Sequence, residues 1–270
     1  MLKQRVITAL ILAPLAIWAI LALPDMTFRV ILGVVFSLAA WEWSGLVGFE
    51  GSAGRSSYVG LIMMGLLVAN WVVGEPAWWP IGAAVALLWW VAGLVWVVRY
   101  PAGSGIWKTS AVARAKAGFL VLVPAWASMV LLREQAGAAF LLLLMLLVWG
   151  ADTGAYFAGR RWGRRKLAPR VSPGKSWEGV AGAMVVTLLL GITAIYWLKP
   201  PIHDVSFILL CLLTVAISIL GDLLESMFKR VVDIKDSGGL LPGHGGILDR
   251  IDSLTAAAPL FAVGVLWLGA

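Results

Sequence analysis

Long apolar runs recur from one end of the chain to the other, separated by short polar stretches. Nine of them can be drawn, at about 6–23, 28–48, 58–74, 77–98, 117–132, 138–158, 177–198, 205–228 and 254–269. An α-helix needs about 20 apolar residues to cross a hydrocarbon core roughly 30 Å thick, and these runs are of that order. No ten-residue segment alternates polar and apolar side chains as a barrel strand would. The pattern therefore predicts an all-α polytopic membrane protein of nine transmembrane helices. The first run follows Lys3 and Arg5, as the core of a signal peptide does. It is long for such a core, and Pro24-Asp25 leads straight into the next run, so it is expected to remain as the first span.

Composition agrees with that reading and excludes a soluble domain. Hydrophobic residues make up 61% of the 270 positions and charged residues 13%, with 16 Trp; the mean hydropathy is +0.93. Lys and Arg collect in cytoplasmic loops of membrane proteins, so their distribution tests the span count. With a cytoplasmic N-terminus and alternating sides, 18 of the 21 basic residues fall on the inner side, and only Arg29, Arg133 and Lys199 on the outer. A wrong span count would scramble that asymmetry. The expected topology is N-terminus cytoplasmic and C-terminus outside. Cys211 is the sole cysteine, mid-span in the eighth helix, and reads as a small buried side chain.

Polar chemistry divides the chain. Residues 1–135, spans one to five, are mostly packing material that could also carry dimer contacts. Their Trp78-Trp79 and Trp89-Trp90 pairs suit interfacial anchoring and lipid-facing packing. Glu42, in AAWEWSG near the inner end of the second span, is the exception. A carboxylate at that depth is costly unless paired or wetted. Two readings stand for it: it reaches back to cytoplasmic water or a basic loop, or it serves the site. Residues 136–270, spans six to nine, gather Asp152, Lys175, Glu178, Asp222, Glu225, Lys229, Asp249 and Asp252 at the inner ends of their helices. A transport pathway would more often set such groups near the midplane. A one-sided collection points to a site facing the cytoplasm. No internal repeat or low-complexity linker is evident.

Three stretches carry the candidate chemistry. In GDLLESMFKR, helical spacing puts Asp222, Glu225, Ser226 and Lys229 on one face. Taken alone, that face also suits an ordinary amphipathic helix end. DSGGLLPGHGG, from Asp236 to Gly246, then breaks the helix with glycines that let backbone N–H groups approach an anion. Asp249 and Asp252, flanking Arg250, suit a hard cation such as Mg²⁺, which takes one or two carboxylates plus substrate phosphates. Spacing does not assign their separate roles. Zinc is disfavoured, because His203 falls on the opposite side from His244 and there is no third histidine. VSPGKSWEG reads as the start of the seventh span, with Ser172 as N-cap, Pro173 at N1, and Lys175 and Glu178 sharing a face near a phosphate-favouring helix N-terminus. Its GKS triplet is no Walker A loop, since Pro169 stands where that motif needs glycine. The basic run RRWGRRK marks the inner side and attracts anionic headgroups.

Together these residues resemble the phosphatidate cytidylyltransferase family, the CDP-diacylglycerol synthases. Ser226, Lys229, Arg230, Lys235, Asp236, Gly238, Leu241, Pro242, His244, Gly245, Gly246, Asp249, Arg250 and Asp252 meet every fixed position of that family's 27-residue signature. The similarity extends upstream through ADTGAYFAGR and SPGKSWEG, so it covers the second half strongly and the first half loosely. The resemblance implies the reaction of CTP with phosphatidic acid to give CDP-diacylglycerol and pyrophosphate, with Mg²⁺. It further implies Asp222 and Asp249 as metal ligands, a monovalent cation such as K⁺ as a possible second ion, and a homodimer in a bacterial-type inner membrane. On this reading Lys175, Lys229, Arg230, Lys235 and Arg250 supply positive charge, and His244 a hydrogen bond or proton. Ser172, Ser226, Gly245 and Gly246 help to bind substrate, and Glu178 serves there or as a co-ligand. Glu225, Asp252 and Asp152 are further co-ligand candidates. No nucleic-acid partner is expected. The rival class is an ion-coupled transporter using Glu42, Asp152, Asp222 and Glu225.

Overall fold

The computed structural model describes residues 2–75, 79–240 and 245–268, with the side chains of 2–7 and 9 excepted. Each apolar run is a helix: α1 Leu2–Ala22, α2 Asp25–Val47, α3 Ser52–Val73, α4 Trp79–Arg99, α6 Ala111–Leu131, α7 Ala138–Trp162, α8 Trp177–Leu198, α9 Asp204–Val231 and α10 Leu248–Leu268, with a short α5, Gly105–Thr109, between α4 and α6. Among the described residues, α2 to α4 and α6 to α10 are long and apolar enough to cross a membrane, and α1 contributes a shorter apolar stretch, Leu10–Ala22. The protein is thus an all-α integral membrane protein. Three helices begin a full six residues before their apolar runs, at Ser52, Ala111 and Leu248. Hydrophobicity marks what lies in lipid, whereas a helix can begin in the polar residues before it, where partners for its first N–H groups are available. Ser110, for example, caps α6 by accepting from the Ala113 N–H at 3.1 Å.

The start of the seventh span differs from expectation. Ser172–Ser176 is a strand, β2, paired antiparallel with β1, Lys166–Ala168. Ser172 is therefore not the N-cap and Pro173 is not at N1. Ser176 caps α8 instead, accepting from the Gly179 N–H at 3.1 Å. Strand pairing occupies the segment from 172 to 176, so the first residue free to cap is the one at its end. Glu178 fastens this hairpin by accepting from the backbone N–H groups of Arg164 (3.1 Å) and Arg165 (3.2 Å). It therefore does not share a helix face with Lys175, which lies on the strand.

α7 and α8 pack so closely that their backbones touch. A Cβ on Gly154 would stand 2.8 Å from the Gly182 carbonyl, and one on Gly150 2.8 Å from Leu190. Without a hydrophobic driving force in lipid, such small-residue seams hold helices together through dispersion. α9 and α10 meet in the same way: a Cβ on Gly221 would lie 2.5 Å from the Asp252 carbonyl oxygen. That contact brings the neighbouring acids Asp222 and Asp252 together at one end of the bundle.

α10 is the most enclosed span, lying against α9, α6, α4 and α7, so the two halves of the chain are knitted through it. The Trp89-Trp90 pair is not lipid-facing. Trp89 and Trp90 are buried, because α4 lies along α9 and turns that face inward. Trp89 stacks with Trp96 and Trp107, and Trp107 with Phe228 of α9. Trp79 packs on Trp267, while Trp78 lies outside the described residues. Cys211 is fully buried, as expected. At the other end of the bundle Arg29 pairs with Glu134 and Arg133 with Asp25, and Arg133 also donates to the Ile20 and Leu23 carbonyls.

Candidate active site

α9 runs beyond its apolar stretch to Val231, and its last turns carry the polar face read from the spacing. Ser226 donates to Asp222 at 3.2 Å and Lys229 lies 3.3 Å from Glu225, both pairs one helical turn apart. The chain then leaves the helix through Asp233, in the left-handed region at φ 57°, and enters the glycine-rich loop. It returns into α10, whose first turn holds Asp249 and Arg250.

Two lysine–carboxylate pairs organise what these elements bring together. Lys175, on β2, stands 2.6 Å from Asp222, and Lys229 stands 2.7 Å from Asp249 across the α9–α10 corner. The pairs differ in access. The Asp222 side chain is 29% exposed and that of Asp249 only 7%. Asp249 is further held by the Gly246 N–H at 2.8 Å and the Ser237 N–H at 3.1 Å, so it braces the loop as well as pairing with a base. Gly245 sits beside it at φ +82°, where a side chain would be strained and would press on the Asp249 carboxylate. Asp252 interacts electrostatically with Asp222 and Lys175 and faces Glu225, and so links the two pairs. Asp152, from α7, is solvent-accessible and interacts with Asp222, Lys175 and Arg250.

Glu225 is the unusual member. It is 3% exposed, its counter-ion is Lys229 at 3.3 Å, and its carboxyl faces that of Asp252 at hydrogen-bonding range. A buried carboxylate beside a second acid is an electrostatic sink for positive charge. Among the described residues no three acidic, His or Cys side chains converge tightly enough to enclose a metal by themselves. That donor set suits a cation completing its shell with water and phosphate rather than an all-protein cage.

Other residues named from the sequence have more local partners. Arg230 donates to the Val171 carbonyl at 3.3 Å and to that of Ile234 at 3.4 Å, tying the hairpin to the end of α9. That tie helps to bring Lys175 to Asp222. Lys235 is exposed and Ser172 is partly covered on β2. His244 lies outside the described residues.

Two contributors were not assigned from the spacing. Glu42, 4% exposed on α2, accepts from Leu248 N–H at 2.8 Å, Ile247 N–H at 3.1 Å and the Ser237 hydroxyl at 3.2 Å. Among the described residues its carboxylate meets neither a basic side chain nor open water but the glycine-rich loop and the start of α10. Ser237, an unspecified position of the signature, bridges Glu42 and Asp249. A lone acid in an otherwise apolar span was the available signal for Glu42, and nothing in the spacing marked Ser237.

A family model described as "Cytidylyltransferase family" matches residues 3–267. The chain belongs to this family. It is 47% identical to the phosphatidate cytidylyltransferase of Pseudomonas aeruginosa, over 99% of this chain and 97% of that one. It is 38% identical to the protein of the same name from Haemophilus influenzae, over 97% and 98%. With the Brucella suis protein the identity is 34%, over 96% and 91%. Membership in the cytidylyltransferase family makes the chain a nucleotidyltransferase.

Proposed function

We infer that this chain catalyses the reaction of CTP with phosphatidic acid to give CDP-diacylglycerol and pyrophosphate. The observation that carries the reading is the signature run itself. Lys229 and Asp249 of that run pair with each other beside a second pair, Lys175 and Asp222, at the end of the bundle where β2, α9 and α10 come together. Whole-length similarity to proteins named phosphatidate cytidylyltransferase supplies the substrates.

The reaction is a displacement at phosphorus. A phosphate oxygen of the lipid forms a bond to the α-phosphorus of CTP, the bond from that phosphorus to the bridging oxygen breaks, and pyrophosphate leaves. The attacking oxygen is already anionic at neutral pH, so positioning and charge neutralisation do most of the work. Lys175 and Arg250, the more accessible bases, meet the incoming phosphates, while Lys229 holds Asp249 in place. Asp222 and Asp249 would hold Mg²⁺, with Asp152, Glu225 and Asp252 as co-ligands and K⁺ as a second ion. Glu225, buried beside the second acid Asp252, fits that role. Bound there, the cation supplies neutralisation of phosphate charge. The basic residues that cluster at this end support a cytoplasmic orientation in a bacterial-type inner membrane. There a soluble nucleotide can meet a lipid headgroup. We further propose a homodimer.

Purified protein in detergent, given labelled CTP, Mg²⁺ and phosphatidic acid, should form a lipid-soluble labelled product and release pyrophosphate. Omitting phosphatidic acid should abolish both. Asp249→Asn should lower turnover by about 10²–10³-fold, the scale on which a site loses one aligned electrostatic group. Absence of product from the wild-type protein across divalent cations sinks the function. Full turnover in a folded Asp249→Asn variant sinks the role of that acid.

A further inference from the structure

We propose that Glu42 is a positioning residue for this reaction: from the second helix, its carboxylate sets the glycine-rich loop and the first turn of α10, and through them the orientation of Asp249. The proposal rests on the nucleotidyl-transfer reading above and adds a residue from the half of the chain that carries none of the signature.

Three donors converge on Glu42. Leu248 and Ile247 offer N–H groups that a helix start leaves without intrahelical partners, and Ser237 offers its hydroxyl. The carboxylate thus acts as an N-terminal cap for α10, delivered from about 200 residues away rather than by a neighbour in sequence. Among the described residues Glu42 forms no ion pair, so the helix terminus is its electrostatic counterpart. Ser237 donates its hydroxyl to Glu42 and its N–H to Asp249, and Gly246 donates its N–H to Asp249 while its α-carbon packs on the Glu42 carboxylate. A side chain on Gly238 or Gly246 would collide with that carboxylate. Ser237 and Gly246, towards the two ends of the loop, are therefore clamped between the two acids.

Glu42 itself has a rigid mount. Trp43 next to it donates to the Arg114 carbonyl at 2.9 Å, and the Arg114 guanidinium donates back to the Val47 carbonyl at 2.8 Å. The inner end of α2 is thereby bolted to the start of α6. A carboxylate can serve all three donors, but a carboxamide has one oxygen and turns an NH₂ towards N–H groups. Glu42→Gln therefore breaks the clamp while keeping length and volume.

Hydrogen exchange read by mass spectrometry tests this without any substrate. In Glu42→Gln, the peptide covering 245–250 should exchange about tenfold to a hundredfold faster, the scale of one lost charge-assisted bond, while α7 and α8 keep wild-type rates. Turnover should fall and the Mg²⁺ concentration for half-activation should rise, with the KM for phosphatidic acid within about twofold. Glu42→Asp, which keeps the charge on a shorter arm, should recover part of both. Wild-type exchange at 245–250, or acceleration spread evenly over the whole chain, overturns the proposal. If Glu42→Gln does not survive purification, Ser237→Ala carries the same test, since it removes one of the three bonds and should loosen the peptides covering 237 and 245–250 and no others. Absence of cytidylyl transfer in the wild-type protein would sink the function but leave the exchange result standing.

Discussion

Lys229 offers the sharpest test of how the site is held together. Its ammonium, 11% exposed, serves Asp249 at 2.7 Å and Glu225 at 3.3 Å. At an effective dielectric constant of about 20, each contact is worth roughly 5–6 kcal/mol of gross Coulomb attraction. Desolvating three charged groups offsets much of that, at several kcal/mol per ion. Lys229→Met removes the counter-charge, keeps most of the side-chain volume, and leaves two acids facing each other in the bundle. The expected loss is about 3–5 kcal/mol, the cost of stranding a buried partner. Adding Glu225→Gln to that variant should restore about 1–3 kcal/mol, because one of the stranded charges is gone. Unfolding in mixed detergent–SDS titrations, followed by Trp fluorescence, measures all four corners of the cycle. A single-variant loss under about 1 kcal/mol, or strictly additive changes, would refute the reasoning that Lys229 is first of all an internal counter-ion.

Two further outcomes follow from packing and from topology. Gly154→Leu, at the backbone contact with Gly182, should destabilise the protein severely and abolish activity, whereas Gly174→Ala, where nothing lies within 4 Å, should leave activity intact; detergent-resistant folded yield separates the two. A cysteine placed at Arg170 should react with a membrane-impermeant maleimide only in inverted vesicles, and one at Lys199 only in right-side-out cells. Cys211, fully buried, supplies no background.

Helix count, the crowding of charge at one end and the polar face of α9 could all be read from periodicity, because each depends on neighbours within a turn or on the thickness of a bilayer. Ser226 with Asp222 and Lys229 with Glu225 are such neighbours. The start of α8 could not. Ser172-Pro173 has the local chemistry of a helix start, but pairing with Lys166–Ala168 overrode it and moved the cap to Ser176. Trp89 and Trp90 were misread for a related reason. In a membrane helix the lipid-facing and core-facing sides are both apolar, so only contact with α9 reveals which side a Trp takes. Glu42 lies at the far limit of such reading. Its isolation could be seen, but its partners near residue 247 depend on the whole bundle closing.

The described site sets the acids Asp152, Asp222, Glu225, Asp249 and Asp252 against the bases Lys175, Lys229 and Arg250, so it is short of positive charge before any substrate arrives, and this bears on how it can work inside a low-dielectric bundle. Lys175 is matched by Asp222, and Lys229 by Asp249 and Glu225; Asp152 is matched in part by Arg250. Unpaired, any of these groups would oppose folding of the helix ends that carry it. Paired, a base can pass from carboxylate to phosphate without being left alone, and the carboxylate it leaves would be free to hold a cation. The accessible pair, Lys175 and Asp222, is the one free to make that exchange. The buried pair, Lys229 and Asp249, is tied into the loop by Ser237 and Gly246 and is better placed to keep its geometry while the other changes. A site so divided can rearrange around its substrates on one side and remain a fixed frame on the other.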